Sequence, residues 1–215
     1  MADEQDPASP RRRALAAMIA APLGVAATSA LAASKAAPAS LAGRLDALEA
    51  RRAVEEVLVA YARANDRVDE ALLRSCFWPE STHHHGGFQG KSSDFVGFAM
   101  KILGGVLYTA HHISNVSVEV KGDRAFSECY YFAHHRRPAK DAAGETDAFF
   151  EGRYIDLFER RAGVWKIIQR RGLSDYTAVI PANTPYASWP AGQHSLRAPD
   201  EDDYYVMRKA FEGGS

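Results

Sequence analysis

Two residue types in this chain suit proton transfer at carbon. Asp66 follows the amphipathic helical run Tyr61-Ala62-Arg63-Ala64-Asn65, and His111 lies in the strand-like run Thr109-Ala110-His111-His112-Ile113-Ser114-Asn115. An imidazole titrates near neutral pH without help. A carboxylate beside it holds one tautomer and stabilises the cation that forms when the ring takes a proton. The run His83-His84-His85 invites a metal reading, with His111, His134 and His194 as further ligands. Adjacent strand side chains point to opposite faces, however, and neither HExxH nor Cys-rich spacing is present, so no metal site is expected. A glycine-rich phosphate loop, a Ser-centred elbow and a Cys nucleophile motif are also missing from the sequence.

Elements that would carry these residues follow from periodicity. Ser40 can cap a helix whose apolar positions Leu41, Leu45, Leu48, Val54, Leu58 and Tyr61 recur at helical spacing. Asp69 can cap a short helix through Phe77, stopped by Trp78-Pro79, and a third helix runs from Ser93 to Leu103 before Gly104-Gly105. After Gly105 the period changes to alternation. Strands are expected over 106–120, 125–135, 148–160 and 164–176, with a shorter one near 81–85. Helices first and then hairpin-linked strands argue for an α+β fold, helices packed on one face of a curved antiparallel sheet.

The chain has 215 residues, 47% hydrophobic and 25% charged, which suits one domain with extensions. A net charge of −1 provides no basic field for nucleic acid or an anionic membrane. Cys76 and Cys129 read as buried thiols. Arg11-Arg12-Arg13, the Ala-rich run behind it and Ala30-Leu31-Ala32 have the regions of an export signal, similar to the twin-arginine type. Ala14 stands where a Phe is often seen, and Pro22 and Gly24 interrupt the run, so a stable membrane anchor is not expected. The expected organisation is a signal and linker over 1–40, a folded domain over 41–176 and an extended arm over 177–215. The expected location is the periplasm, or the cytoplasm if the leader is not a signal.

Several motifs recur in order across about 41–176. They are Tyr61 with Asp66, His85-Gly86-Gly87-Phe88-Gln89-Gly90, Thr109-Ala110-His111 with Asn115, and Gly122-Asp123-Arg124-Ala125. Gly152-Arg153-Tyr154-Ile155-Asp156, Glu159-Arg160-Arg161 and Gly163-Val164-Trp165-Lys166-Ile167 complete the series. Together they resemble the SnoaL-like branch of the nuclear-transport-factor-2-like superfamily. That branch includes scytalone dehydratase, a bile-acid dehydratase and a hexachlorocyclohexane dehydrochlorinase, lyases without cofactor in which a His assisted by an Asp removes a proton from carbon. The resemblance implies a cone-shaped barrel with the helices on its concave face.

It also implies catalytic roles for Asp66 and His111, with Tyr61, His134 and Arg170 as substrate-binding residues. Simple alternation would instead put His112 on the face of Val116, Val118 and Val120. A β-bulge between the two segments reconciles the readings, because one extra residue flips the parity. His134 shares a face with Tyr130 and Phe132, and His135 one with Tyr131. Arg171 rather than Arg170 shares the face of Trp165 by alternation, so that pair stays open.

The function expected is a cofactor-independent lyase acting on an apolar cyclic or aromatic small molecule, in a homodimer or homotrimer. The alternatives are an isomerase or cyclase with the same dyad, and a non-catalytic ligand-binding or assembly subunit resembling a ring-hydroxylating dioxygenase β chain.

Overall fold

The computed structural model describes residues 40–141, 144–197 and 202–213, so the leader expected over 1–40 lies, except for Ser40, outside the described residues. Helix α1 (Leu41–Arg67) starts where the Ser40 side chain accepts a hydrogen bond from the Gly43 amide at 3.1 Å. Its later turns bury Val54, Leu58, Tyr61 and Ala64. Its first turns do not bury the rest of the apolar stripe: Leu41 is 81% exposed and Leu48 65%. The helix ends on Val68 at φ 55°, an uncommon left-handed conformation for a β-branched residue. Asp66 therefore stands in the last turn of α1, not beyond it.

Asp69 caps α2 (Glu70–Ser75) by accepting from the Leu72 amide at 2.9 Å. Strand β1 (Phe77–His85) begins immediately, so Trp78-Pro79 lies within a strand instead of stopping a helix. The proline is tolerated because pairing of β1 with its neighbour is interrupted between Phe77 and Thr82. A hairpin through Gly86-Gly87 adds β2 (Phe88–Lys91), which the alternation did not reveal, and α3 (Ser92–Gly104) follows.

The remaining strands are β3 (Tyr108–Lys121), β4 (Arg124–Arg137), β5 (Thr146–Arg161) and β6 (Val164–Pro181). The sheet order is β2-β1-β6-β5-β4-β3, antiparallel throughout except where β1 runs parallel to β6. Register breaks in β3/β4 and β5/β6 bend these long strands into a cone. The helices fill its concave side, with Leu58, Leu73, Val96, Phe158 and Ile167 in the core. Cys76 and Cys129 are free and buried, as expected.

Strand β6 continues past the expected domain end at Tyr176. Beyond it come a 3-10 turn (Tyr186–Ser188) and helix α4 (Asp203–Gly213), so the tail is not an extended arm throughout. Among the described residues no helix is long and apolar enough to cross a membrane.

Candidate active site

The parity question in β3 is decided by a bulge. Pairing with β4 shifts between Ser114 and Ser117, and Asn115 adopts φ 49°, a conformation that Asn tolerates better than most residues. The extra residue puts Thr109, His111 and Ile113 on the same concave side as Val118, while His112 faces outward against Phe132. His111 and Asp66 then meet, with Nδ1 2.7 Å from the Asp66 carboxylate. A carboxylate only accepts, so Nδ1 carries the proton and Nε2 is left as the basic nitrogen.

His111 lines a cavity of about 320 Å³ between α1, α3 and the sheet. Its floor is buried Tyr61, Tyr131 and Tyr154, and its rim includes Phe98 and Ile102, 41% and 50% exposed. Asp66 is behind His111 and borders a second recess of about 400 Å³. Arg63, Arg67 and the tail residues Tyr186 and Arg197 close that recess, so the dyad stands in the partition between two hollows.

Tyr61 is at the cavity floor, and the Arg170 guanidinium lies 4.0 Å from its ring centre. Burial raises the Tyr61 pKa and the charge of Arg170 only partly offsets this, so the phenol stays a proton donor. Arg170 itself is not at the cavity surface. It is 1% exposed, beneath Tyr61 and Tyr154, and donates through Nε and Nη2 to Asp156 at 2.7 Å each. Burial alone would lower its pKa, but the facing carboxylate raises it on balance and keeps the guanidinium charged. Arg171 points outward and donates to His84. Of the two candidates Arg170 is thus the inward one, yet Tyr61 and Tyr154 stand between it and the cavity.

His134 does not join the site. Its Nε2 donates to Asp147 at 2.6 Å, and its ring stacks on Phe149. Asp147 also receives Arg136, whose guanidinium donates to the Thr184 carbonyl at 2.7 Å and lies under Trp189. This network ties the tail to the sheet. Of the two β4 histidines the cavity-lining one is His135, two residues beyond Ala133 and four beyond Tyr131, its ring centre 5.4 Å from that of His111. Register could have identified it: Ala133 pairs with His111, so Tyr131 and His135 must face the same way.

His85 also lines the cavity, whereas His83 stacks on Phe95 at 3.5 Å and meets no partner among the described residues at either ring nitrogen. Burial, helped by neighbouring cations, holds His135 down at about 3 and His85 at about 4, so both are neutral hydrogen-bonding groups near neutral pH. His83, His84 and His85 alternate in direction, and among the described residues no cluster of three or more His, Cys, Asp or Glu could hold a metal ion.

The model of the SnoaL-like domain family matches residues 46–171. An uncharacterized protein of Mycobacterium tuberculosis (strain ATCC 25618 / H37Rv) is 30% identical over 124 residues, covering 56% of this chain and 82% of the relative. Among solved structures, a type 2 hexachlorocyclohexane dehydrochlorinase is similar at a TM-score of 0.59 and 22% identity, covering 69% of this chain and 99% of the other. A scytalone dehydratase-like protein from Novosphingobium aromaticivorans is similar at 0.55 and 21%, covering 69% and 97%. At such identities the likeness is one of fold.

Proposed function

Because the chain belongs to the SnoaL-like domain family, we propose that it is a cofactor-independent lyase of the dehydratase or dehydrohalogenase type, acting on an apolar cyclic small molecule. The supporting observation is the 2.7 Å contact between His111 Nδ1 and Asp66 at the wall of a largely aromatic cavity. The fold neighbours whose names denote a dehydrochlorinase and a dehydratase point to the same class of chemistry.

In the reaction, Nε2 of His111 takes a proton from a carbon next to an activating group. The electron pair left on carbon forms the new double bond, and the leaving group on the adjacent carbon departs with its own bonding pair. A departing hydroxide would recover the proton from the imidazolium and leave as water, whereas halide would leave the proton for solvent. Asp66 stabilises the imidazolium, and the Tyr61 hydroxyl donates to the oxygen on which charge develops. Arg170 acts as a positioning residue through the Tyr61 ring. An open cavity favours this reading over an assembly subunit, whose cone would be plugged. Returning the proton to a different carbon would make the same dyad an isomerase.

The experiment is proton exchange. Cyclic ketones and β-halo or β-hydroxy carbon acids in deuterated water should gain deuterium or eliminate with the wild type. Exchange that is absent, or that survives His111→Ala unchanged, would sink the reading.

Exposed apolar side chains on the outer sheet face, Phe126, Phe132 and Tyr176 among them, support assembly as a homodimer or homotrimer. A monodisperse monomer in light scattering at micromolar concentration argues against it. The twin-arginine-like leader supports export, which an intact Met1 terminus on cytoplasmic protein would contradict.

A further inference from the structure

The concave face of β4 reads Cys129, Tyr131, Ala133, His135 and Arg137 at a period of two, from the core toward the strand end. Tyr131, Ala133, His135 and Arg137 all line the 320 Å³ cavity, and Arg137 is the half-buried last residue of the strand. Among the described residues no Asp or Glu lines this cavity, and Arg137 is its sole arginine or lysine. Most other arginines of the sheet pair with a carboxylate, among them Arg136 with Asp147, Arg153 with Glu128, Arg160 with Asp123 and Arg170 with Asp156, while Arg171 turns outward to His84. Among the described residues Arg137 has no such carboxylate, and its guanidinium stands 5.7 Å from the ring centre of Phe150, another cavity residue. A half-buried cation over an aromatic, facing a hollow without anions, is matched by an anion held in that hollow.

We propose that Arg137 is the specificity-determining residue of the cavity and selects ligands that carry a carboxylate. The inference rests on the reading above only for where the ligand sits, and its own content is the ligand's charge. Arg137 stands four residues beyond Ala133, the register partner of His111, which is about 13 Å along the strand. The arginine side chain reaches back over part of that distance. The bound carboxylate and the carbon presented to His111 therefore belong to opposite ends of a ring-sized body, with Phe95, Phe98 and Phe150 against its apolar faces. His85 and His135 stay uncharged, so they neither compete for the carboxylate nor compensate for loss of Arg137. The guanidinium fork can hold a carboxylate through two parallel N–H···O bonds, which a lysine cannot reproduce.

The test is equilibrium binding to the full chain, with 2-naphthoate and its neutral counterpart 2-naphthamide as probes, followed by titration calorimetry. The wild type should bind the acid at least about tenfold tighter than the amide, the scale of a charge-assisted pair in a half-buried site. Arg137→Gln should abolish that preference by weakening the acid alone, and Arg137→Lys should retain part of it. Equal binding of both probes, no binding of the acid, or a preference that persists in Arg137→Gln would overturn the proposal. This readout needs no turnover. Acid preference without any elimination would leave the inference standing and the lyase reading fallen, whereas elimination without acid preference would do the reverse.

Discussion

His111 and His135 face each other across neighbouring strands, ring centres 5.4 Å apart, but they are held by different partners. His111 has the Asp66 carboxylate at 2.7 Å, and His135 has the Thr109 hydroxyl at 2.8 Å. Burial without a charged partner drives the second ring to stay neutral, while the first has a counter-ion for the imidazolium. Two adjacent imidazoles thus differ in partner, one set against a carboxylate and the other against a hydroxyl.

Replacing His111 by Ala should therefore lower turnover of a processed substrate by about a hundredfold or more, the scale of a lost general base. Asp66→Asn should cost about tenfold or more with the ring still present, because the tautomer is no longer held. His112→Ala should change little, since His112 faces the outer surface. Steady-state kinetics on the three variants decides this, and equal losses at 111 and 112 would refute the assignment of faces by the bulge.

Stability should fall with acid. His83, His85 and His135 have pKa values lowered from 6.5 to about 2, 4 and 3, with burial as the main cause in each. Unfolded chains bind protons at these rings from about pH 6.5 downward, whereas the folded chain does not, so the unfolded state gains. The stability is fully present above pH 6.5 and is lost as pH falls toward the folded values. Each ring should contribute on the order of 2 kcal/mol to the loss by pH 5. Urea midpoints measured from pH 7.5 to 5 should show this slope. His83→Phe should lessen it and also remove two nitrogens that meet no partner among the described residues.

The Arg170–Asp156 pair is fully buried, with both side chains 0% exposed. Asp156→Asn alone should destabilise by about 3–5 kcal/mol, because it strands a charge in the core. Changing Arg170 to Met and Asp156 to Leu together should cost much less than the sum of the single changes. Additive losses in a denaturant double-mutant cycle would show that the two do not act as a pair. Turnover should still drop in the double variant, since Tyr61 loses the cation beneath its ring.

Two glycines differ in what a methyl group would meet. A Cβ at Gly152 would lie 1.9 Å from the Leu173 carbonyl oxygen, a backbone atom fixed in the sheet, so Gly152→Ala should destabilise severely. A Cβ at Gly172 would instead strike the His85 ring at 2.6 Å. His85 can turn aside into the cavity, so Gly172→Ala should fold but bind cavity ligands more weakly. Thermal unfolding with probe binding separates the cases, and the opposite ordering would refute the argument.

Much of this protein was legible along the chain. The caps at Ser40 and Asp69, the change from helical to alternating periods and the α+β order follow from local rules, because a cap or an alternation is satisfied within a few residues. The Asp66 and His111 positions came from a resemblance to known motifs, and the bulge invoked to reconcile their faces is present at Asn115. Tertiary structure decided the rest. A single inserted residue reverses every side chain after it, so the choice between His134 and His135 depends on pairing with β3 and not on their neighbours in sequence. Arg170 faces inward, yet Tyr61 and Tyr154 cover it, and only the packing of α1 on the sheet brings those rings over it. Leu41, Leu45 and Leu48 continue the helical stripe into turns that no described element covers. Periodicity states which side of an element is apolar. What packs against that side is decided by long-range contacts.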